Sequence, residues 1–293
     1  MTPASLAATL IVVVIWGLNF VAAKVGVSAI PPLLFTGLRL ACVALCLAPF
    51  FRPRRDQLGG VLMISSLLGV GHFGILFLGM RGIDAATAAI AIQLTVPFSA
   101  LLAAAFLSDR LGWRRGLGMA LAFAGVALLA GEPTQPDPWP LLLVVAASLA
   151  WAIANVVIKR MGEIGPLVLN GWMALFAAPQ LFLLSWLFED GQIAALANAG
   201  WQAYAALAFT VLAASIIAYS LWYQLVARHD LNQIVPLTLL SPVIGVVSGV
   251  AVLDEPFSWQ KGVGGMLTIL GVGIIQSREA RRRRSITPPG ATT

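Results

Sequence analysis

Asp109-Arg110-Leu111-Gly112-Trp113-Arg114-Arg115-Gly116-Leu117-Gly118 and Asp254-Glu255-Pro256-Phe257-Ser258-Trp259-Gln260-Lys261-Gly262-Val263-Gly264 are two versions of one stretch. At an offset of 145 to 146 residues Asp109 meets Asp254, Trp113 meets Trp259, Gly116 meets Gly262 and Gly118 meets Gly264. The register runs on to Gly125 with Gly271, and back to Pro97 with Pro242 and Asp84 with Asp230. Nearer the N-terminus the offset is 135: Trp16 meets Trp151, Lys24 meets Lys159 and Pro31 meets Pro166. The change of offset places about ten extra residues in the second half, most simply in the loop Asp190 to Gly200. The chain is therefore a tandem duplication, divided as 1–131 and 132–277, with a basic tail, 278–293, expected to be disordered.

The residues between these landmarks are overwhelmingly apolar. Of 293 residues 59% are hydrophobic and 10% charged, and the mean hydropathy is +0.91. A soluble domain carries roughly a quarter of its residues as charges, which excludes a water-soluble enzyme. A helix crossing the hydrocarbon layer needs about 20 residues. Ten such segments can be marked: Ala4 to Ser28, Pro32 to Phe51, Leu58 to Met80, Asp84 to Leu107, Gly112 to Ala130, Pro138 to Arg160, Pro166 to Phe188, Trp201 to Ala227, Leu231 to Leu253 and Trp259 to Ser277. The first lacks a basic leader and a small-residue cleavage site, and is expected to be a retained span.

With both termini cytoplasmic, the internal loops and tail hold Arg52, Arg54, Arg55, Arg110, Arg114, Arg115, Lys159, Arg160, Arg228, Arg278 and Arg281 to Arg284, 14 of the 18 Lys and Arg residues. Lys24, Arg39, Arg81 and Lys261 are left on the outer side, whose longer loops carry Glu132, Asp137, Glu189 and Asp190. This asymmetry sets the orientation and accounts for the net charge of +6 without nucleic-acid binding. Trp113, Trp139, Trp186, Trp201 and Trp259 fall near span ends, where an amphipathic indole sits at the membrane interface. Cys42 and Cys46 lie four apart in an apolar helix and read as packing residues. Five spans per half is an odd number, so the second copy enters the membrane from the opposite side. The expected fold is all-α, ten transmembrane helices as two inverted five-helix repeats around a central cavity, an arrangement that recurs in secondary transporters.

The residues also carry a family likeness. Trp16-Gly17-Leu18-Asn19-Phe20 with Lys24, and Asp254 to Gly262 with Gly271 and Val272, resemble the signatures of EamA-type members of the drug/metabolite transporter superfamily. The likeness covers residues 4 to 277, and Arg110-Leu111 depart from it where the second repeat has Glu255-Pro256. The resemblance implies a ten-helix bacterial inner-membrane carrier with a central cavity, and by overall look the branch that exports aromatic amino acids.

Candidate path residues follow from chemistry that is costly in lipid. Trp16 with Asn19, and Trp151 with Asn155, each put an aromatic surface beside an amide, which suits an organic solute with polar ends. Ser215, Tyr219 and Tyr223 form a stripe beside Trp222; their repeat counterparts include Phe73 and Phe77, beside His72. Pro97 and Pro242 are matched mid-span prolines that free carbonyls near the midplane, with Gln93 and Thr238 four residues before them. These prolines and Gly71, in the run Gly69, Gly71, Gly74, are candidate hinges, packing being the alternative for each. Arg39, about two turns into its span, reads either as an inter-helix bond to a carbonyl or as attraction of a substrate carboxylate. Lys24 and Lys159 are expected to snorkel to water.

No Asp or Glu falls near a span centre; Asp84, Asp109, Asp230, Asp254 and Glu255 sit at helix ends, where capping explains them. No P-loop, zinc-protease or nucleophile-elbow pattern is present. The expectation is an exporter of amino acids or related metabolites working as a monomer by facilitated diffusion, with no cofactor and no metal. Proton-coupled drug or metabolite antiport through His72 is the alternative, and a lipid-modifying membrane enzyme a distant one.

Overall fold

The computed structural model describes residues 2–106, 112–132, 137–229 and 234–286, with the side chains of Tyr223, Ala227, Val235 and residues 277–286 outside that description; the described residues contain helices and no strand. Ten long helical segments follow one another: α1 (Pro3–Ala29), α2 (Pro32–Leu47), α3 (Arg55–Gly82), α4 (Ala85–Phe106), α5 (Trp113–Leu129), α6 (Trp139–Arg160), α7 (Pro166–Phe188), α8 (Trp201–Val226), α9 (Pro236–Leu253) and α10 (Trp259–Ile286). Seven of them, α1, α3, α4, α6, α7, α8 and α9, are long and apolar enough to cross a bilayer. The two shortest, α2 and α5, have 16 and 17 residues. The chain is thus a multi-pass membrane protein. Trp113, Trp139, Trp186, Trp201 and Trp259, all near helix ends, are all exposed, as side chains that anchor in an interface must be.

Four boundaries differ from the sequence reading. α2 stops at Leu47 because Pro49 has no N–H with which to continue the ladder. α3 starts at Arg55, where a 3-10 turn feeds the helix. The stretch Asp190 to Gly200 contains a short helix, Gln192–Asn198. α10 runs past Ser277 to Ile286 through the arginine run, since Arg is a good helix former and cations suit a helix C-terminus. Asp109, Arg110 and Asp230 lie outside the described residues.

The helices are irregular at corresponding repeat positions. α3 is π-helical over Ser65–Gly74 and α8 over Phe209–Ile217. A 3-10 turn, Ile92–Leu94, precedes Pro97 in α4, and another, Val235–Leu239, precedes Pro242 in α9. In lipid the backbone groups loosened by such windings need partners. In α8 Ser215 Oγ donates to the Thr210 carbonyl at 2.7 Å, while Asn170 Nδ2 donates to the Ser215 carbonyl at 3.2 Å. In α3 Ser65 accepts from Gln180 Nε2 at 2.8 Å, and Ser66 donates to Gln180 Oε1 at 2.9 Å. Both helpers come from α7.

Packing repeats in the same register. α2 packs on α7 and α5 on α10; α1 packs on α8 and α9, and α6 correspondingly on α3 and α4. The α5–α10 crossing brings backbones together at four glycines. A Cβ on Gly125 would lie 2.5 Å from the Gly264 carbonyl oxygen, one on Gly264 2.6 Å from that of Gly125, and one on Gly118 2.7 Å from that of Gly271. Gly118 contacts Gly271 and Gly125 contacts Gly264, so each repeat-matched glycine touches the partner of the other. That reciprocal pattern is how a two-fold axis brings one surface onto its own copy.

One end of the bundle, where α1 and α3 finish, is tied by buried polar groups; we call it the distal end. Lys24 Nζ donates to the carbonyls of Met80, Arg81 and Ile83 at 2.9, 3.1 and 2.8 Å. Lys24 therefore does not simply snorkel: the frayed end of α3 offers carbonyls that water would otherwise have to satisfy. Glu255 accepts from the N–H groups of Ala85 (2.6 Å) and Ala86 (3.0 Å), capping α4 from 170 residues away. Asp84, at the N-cap position of α4, makes no side-chain cap and pairs instead with Lys261, which also donates to the Pro256 carbonyl at 2.6 Å. Glu189 caps α2 through Leu33 and Leu34 at 2.8 and 3.0 Å. Asp254 takes a left-handed conformation, φ 53°, at the end of α9.

Candidate functional site: a buried guanidinium among aromatic rings

The centre of the bundle is organised around Arg39 on α2. The residue is 2% exposed. Its Nε and Nη2 both donate to Ser215 Oγ, at 3.1 and 2.9 Å. Ser215 can accept both because its own proton is committed to the Thr210 carbonyl, so the π-helical segment of α8 orients the serine as an acceptor. The guanidinium lies over two rings of α3, 4.8 Å from the centroid of Phe73 and 5.3 Å from that of Phe77, an electrostatically favourable seat for a cation. Nη1 is buried without a hydrogen-bond partner. Among the described residues no carboxylate pairs with Arg39; the ion pairs are Arg54–Asp56 and Lys261–Asp84.

Two aromatic clusters are built on the surrounding helices. In one, His72 packs against Trp151 (4.7 Å between centroids) and Phe73 (4.8 Å), and Phe73 meets Trp151 edge-on at 6.4 Å. In the other, Trp16 packs against Tyr219 and Trp222, each at 5.5 Å. Tyr219 lies one helical turn beyond Ser215, the residue that holds Arg39. The clusters correspond under the repeat: Trp16 matches Trp151 and Tyr219 matches Phe73. His72 Nδ1 lies 2.9 Å from the Ala147 carbonyl, which can only accept, so the ring carries its proton on Nδ1.

The candidates divide by position. Arg39, His72, Phe73 and Trp151 are brought together, and Trp16 and Tyr219 meet in a second group. Asn19 is on α1 one turn from Trp16, half-buried, with an Oδ1 that no donor reaches. Gln93 and Thr238 are half-buried, and Pro97 and Pro242 are buried. Asn155 is exposed. The Tyr223 side chain lies outside the described residues. A Cβ on Gly71 would meet Ala150 Cβ at 3.3 Å, so α3 and α6 already touch there. Asn170, Gln180 and the cap made by Glu189 escaped the sequence reading, and the cap read for Glu255 serves a helix distant in the chain. Their partners lie 45 to 170 residues away, beyond any local signal.

A multi-pass helical bundle with a polar centre lined by rings, and paired irregular helices around it, has the construction of a membrane carrier. The family model described as "EamA-like transporter family" matches residues 3–131 and again 138–277, and the chain belongs to that family. It is 31% identical over 275 residues to the "Probable amino-acid metabolite efflux pump" of Salmonella typhimurium, covering 90% of this chain and 92% of that protein. The protein of the same name from Escherichia coli K12 is 31% identical over 276 residues, with 90% and 92% covered. The "Uncharacterized inner membrane transporter YedA" of E. coli K12 is 23% identical, covering 84% of this chain and 81% of that one. A solved crystal structure shares the fold, with a TM-score of 0.64 over 97% of this chain and 99% of the other at 20% identity.

Proposed function

We propose that the chain is a bacterial inner-membrane exporter of small organic solutes, amino acids including aromatic ones, that works as a monomer by alternating access of two inverted five-helix repeats, with both termini cytoplasmic. The arrangement of Arg39, Ser215, Phe73 and Phe77 carries this reading: one fixed cation seated on aromatic rings complements a solute with an acidic end and an apolar body. The two matches of the family model, one per half, support the duplication. The reciprocal glycine crossing and the matched helix irregularities support its two-fold relation.

The two ends of the bundle are not equivalent, which supports a state closed at the distal end. The distal part of α3, Ile75–Gly82, packs against α1 and α2, and Lys24 is clamped on its carbonyls. Among the described residues the mirrored segment, Ala218–Arg228, has no comparable packing against α6 or α7, and Lys159, the counterpart of Lys24, is exposed. Opening the distal end breaks the Lys24 clamp. Lys24→Met is therefore expected to shift the population toward the distally open state. In a variant without Cys42 and Cys46, a single cysteine at the buried Ala88 should react with maleimide at least about threefold faster when Lys24 is replaced; an unchanged rate contradicts the clamp.

Flux is expected to run down the solute gradient. Among the described residues no carboxylate pairs with Arg39, and the His72 ring, held on the Ala147 carbonyl and packed against Trp151 and Phe73, acts as a wall of the site rather than as a proton carrier. Proteoliposomes loaded with leucine or phenylalanine should release it faster than protein-free vesicles, at rates unaffected by an imposed pH gradient. Release no faster than from empty vesicles removes the exporter reading, and a strong dependence on the pH gradient would restore His72-linked antiport.

A further inference from the structure

We infer that the solute itself supplies the missing counter-ion of Arg39: the site selects molecules bearing a carboxylate, which Nη1 binds, over amides and amines of the same shape. The inference rests on the exporter reading above and adds the group by which the substrate is recognised.

The argument begins with an imbalance. A guanidinium has five N–H donors and a charge that is always present. Arg39 commits Nε and Nη2 to a single neutral oxygen, Ser215 Oγ, and places its flat face on Phe73 and Phe77. Nη1 has no partner, and no acidic side chain among the described residues pairs with the residue. Burying a charge without an anion, or a donor without an acceptor, is costly. A purely structural arginine would have been tied to helix-end carbonyls, as Lys24 is at the distal end with three of them. Arg39 instead has Nε and Nη2 held on Ser215 and a buried Nη1 without a partner, a donor that a substrate carboxylate would satisfy.

The surroundings fit the remainder of such a solute. Trp16 and Tyr219 in one cluster and His72, Phe73 and Trp151 in the other are apolar faces for its body. The Oδ1 of Asn19, one turn along α1 from Trp16, is a buried acceptor without a donor, complementary to an ammonium. Arg39 Nη1 and Asn19 Oδ1 are orphans of opposite hydrogen-bonding sense, complementary in kind to the two charged groups of a zwitterion. The position matching Arg39 at the 135 offset is Ala174, so one carboxylate anchor serves a site shared by the two halves.

The test uses the purified full-length protein in detergent and reads ligand-induced shifts in thermal unfolding, which avoids passive leakage of the uncharged analogues. The probes are leucine and phenylalanine, their carboxamides, their decarboxylated amines, and the corresponding acids without the amino group. The wild type should bind the amino acids and the desamino acids at least about tenfold more tightly than the amides and amines. Arg39→Gln should lose that preference while keeping its weak amide binding, and Arg39→Lys should keep part of it. Equal affinity of the wild type for acids and amides overturns the inference and leaves the exporter reading standing, as does an unchanged preference in a folded Arg39→Gln. Binding of none of the probes, with no flux in vesicles, overturns both. Should Arg39→Gln fail to fold, the wild-type acid-to-amide ratio decides the matter alone, and Ser215→Ala, which frees the held edge of Arg39, is expected to reduce that ratio.

Discussion

Gly125→Val is expected to prevent stable folding. The new Cβ would stand 2.5 Å from the Gly264 carbonyl oxygen and 2.8 Å from the Thr268 amide nitrogen, in contact also with the Thr268 hydroxyl. These atoms are helix backbone or held by it: Thr268 Oγ1 donates to the Gly264 carbonyl at 2.8 Å. They cannot swing aside as a flexible side chain would, so α5 and α10 must separate. Overpacking in a close-packed interior costs about 1–3 kcal/mol, and a branched residue between two backbones belongs at the upper end of that range. The helices would also lose the close approach that holds small-residue interfaces together in lipid. Gly116 is the matched control, since a Cβ there meets nothing within 4 Å. The yield of monodisperse protein and its unfolding temperature should collapse for Gly125→Val and stay near wild type for Gly116→Val. Equal behaviour of the two would mean that the crossing is not close-packed.

The second large effect is expected from Lys261→Met. Lys261 is 1% exposed, with its ammonium on Asp84 and on the Pro256 carbonyl. Removing one partner of a buried pair leaves the other charge uncompensated, a loss of about 3–5 kcal/mol in fully buried cases. The Asp84 side chain keeps 21% of its surface exposed, which moderates the loss to about 2–3 kcal/mol by letting water reach the carboxylate. The variant should unfold at a clearly lower temperature. Adding Asp84→Asn should recover part of the loss, because the double variant no longer strands a carboxylate. If the two changes add without recovery, the stabilising contact of Lys261 is the carbonyl rather than Asp84.

What the sequence revealed and what it concealed divide along physical lines. The all-helical membrane architecture was legible because bilayer thickness imposes apolar lengths that composition records directly. The glycines of the α5–α10 crossing were legible as repeat landmarks, while their contact with one another, which joins the two halves, was not. The tryptophans at helix ends were legible. The π-helical segments were not, because nothing local in Ser65–Gly74 or Phe209–Ile217 distinguishes a wider winding from an ordinary one; their support comes from Asn170 and Gln180 on α7. Asp84 and Lys24 show the limit of reading ends as caps or snorkels. Both sit where such roles are expected, yet each is recruited by a group far away in the chain. For Arg39 two readings stood level in the sequence. The inter-helix hydrogen bond is present, on the Ser215 hydroxyl rather than on a carbonyl, and the unpartnered Nη1, invisible without the packed neighbours, is what motivates the carboxylate proposal.

The central claim is that a solute binds one site that faces the two sides in turn. It is tested most directly by counterflow in proteoliposomes, in which vesicles preloaded with unlabelled leucine or phenylalanine are diluted into a trace of the labelled compound. An alternating carrier predicts a transient accumulation of label above equilibrium, absent from vesicles without preload and from those bearing Arg39→Gln. Entry of label at one rate with or without preload would contradict alternating access and point to a passive pore.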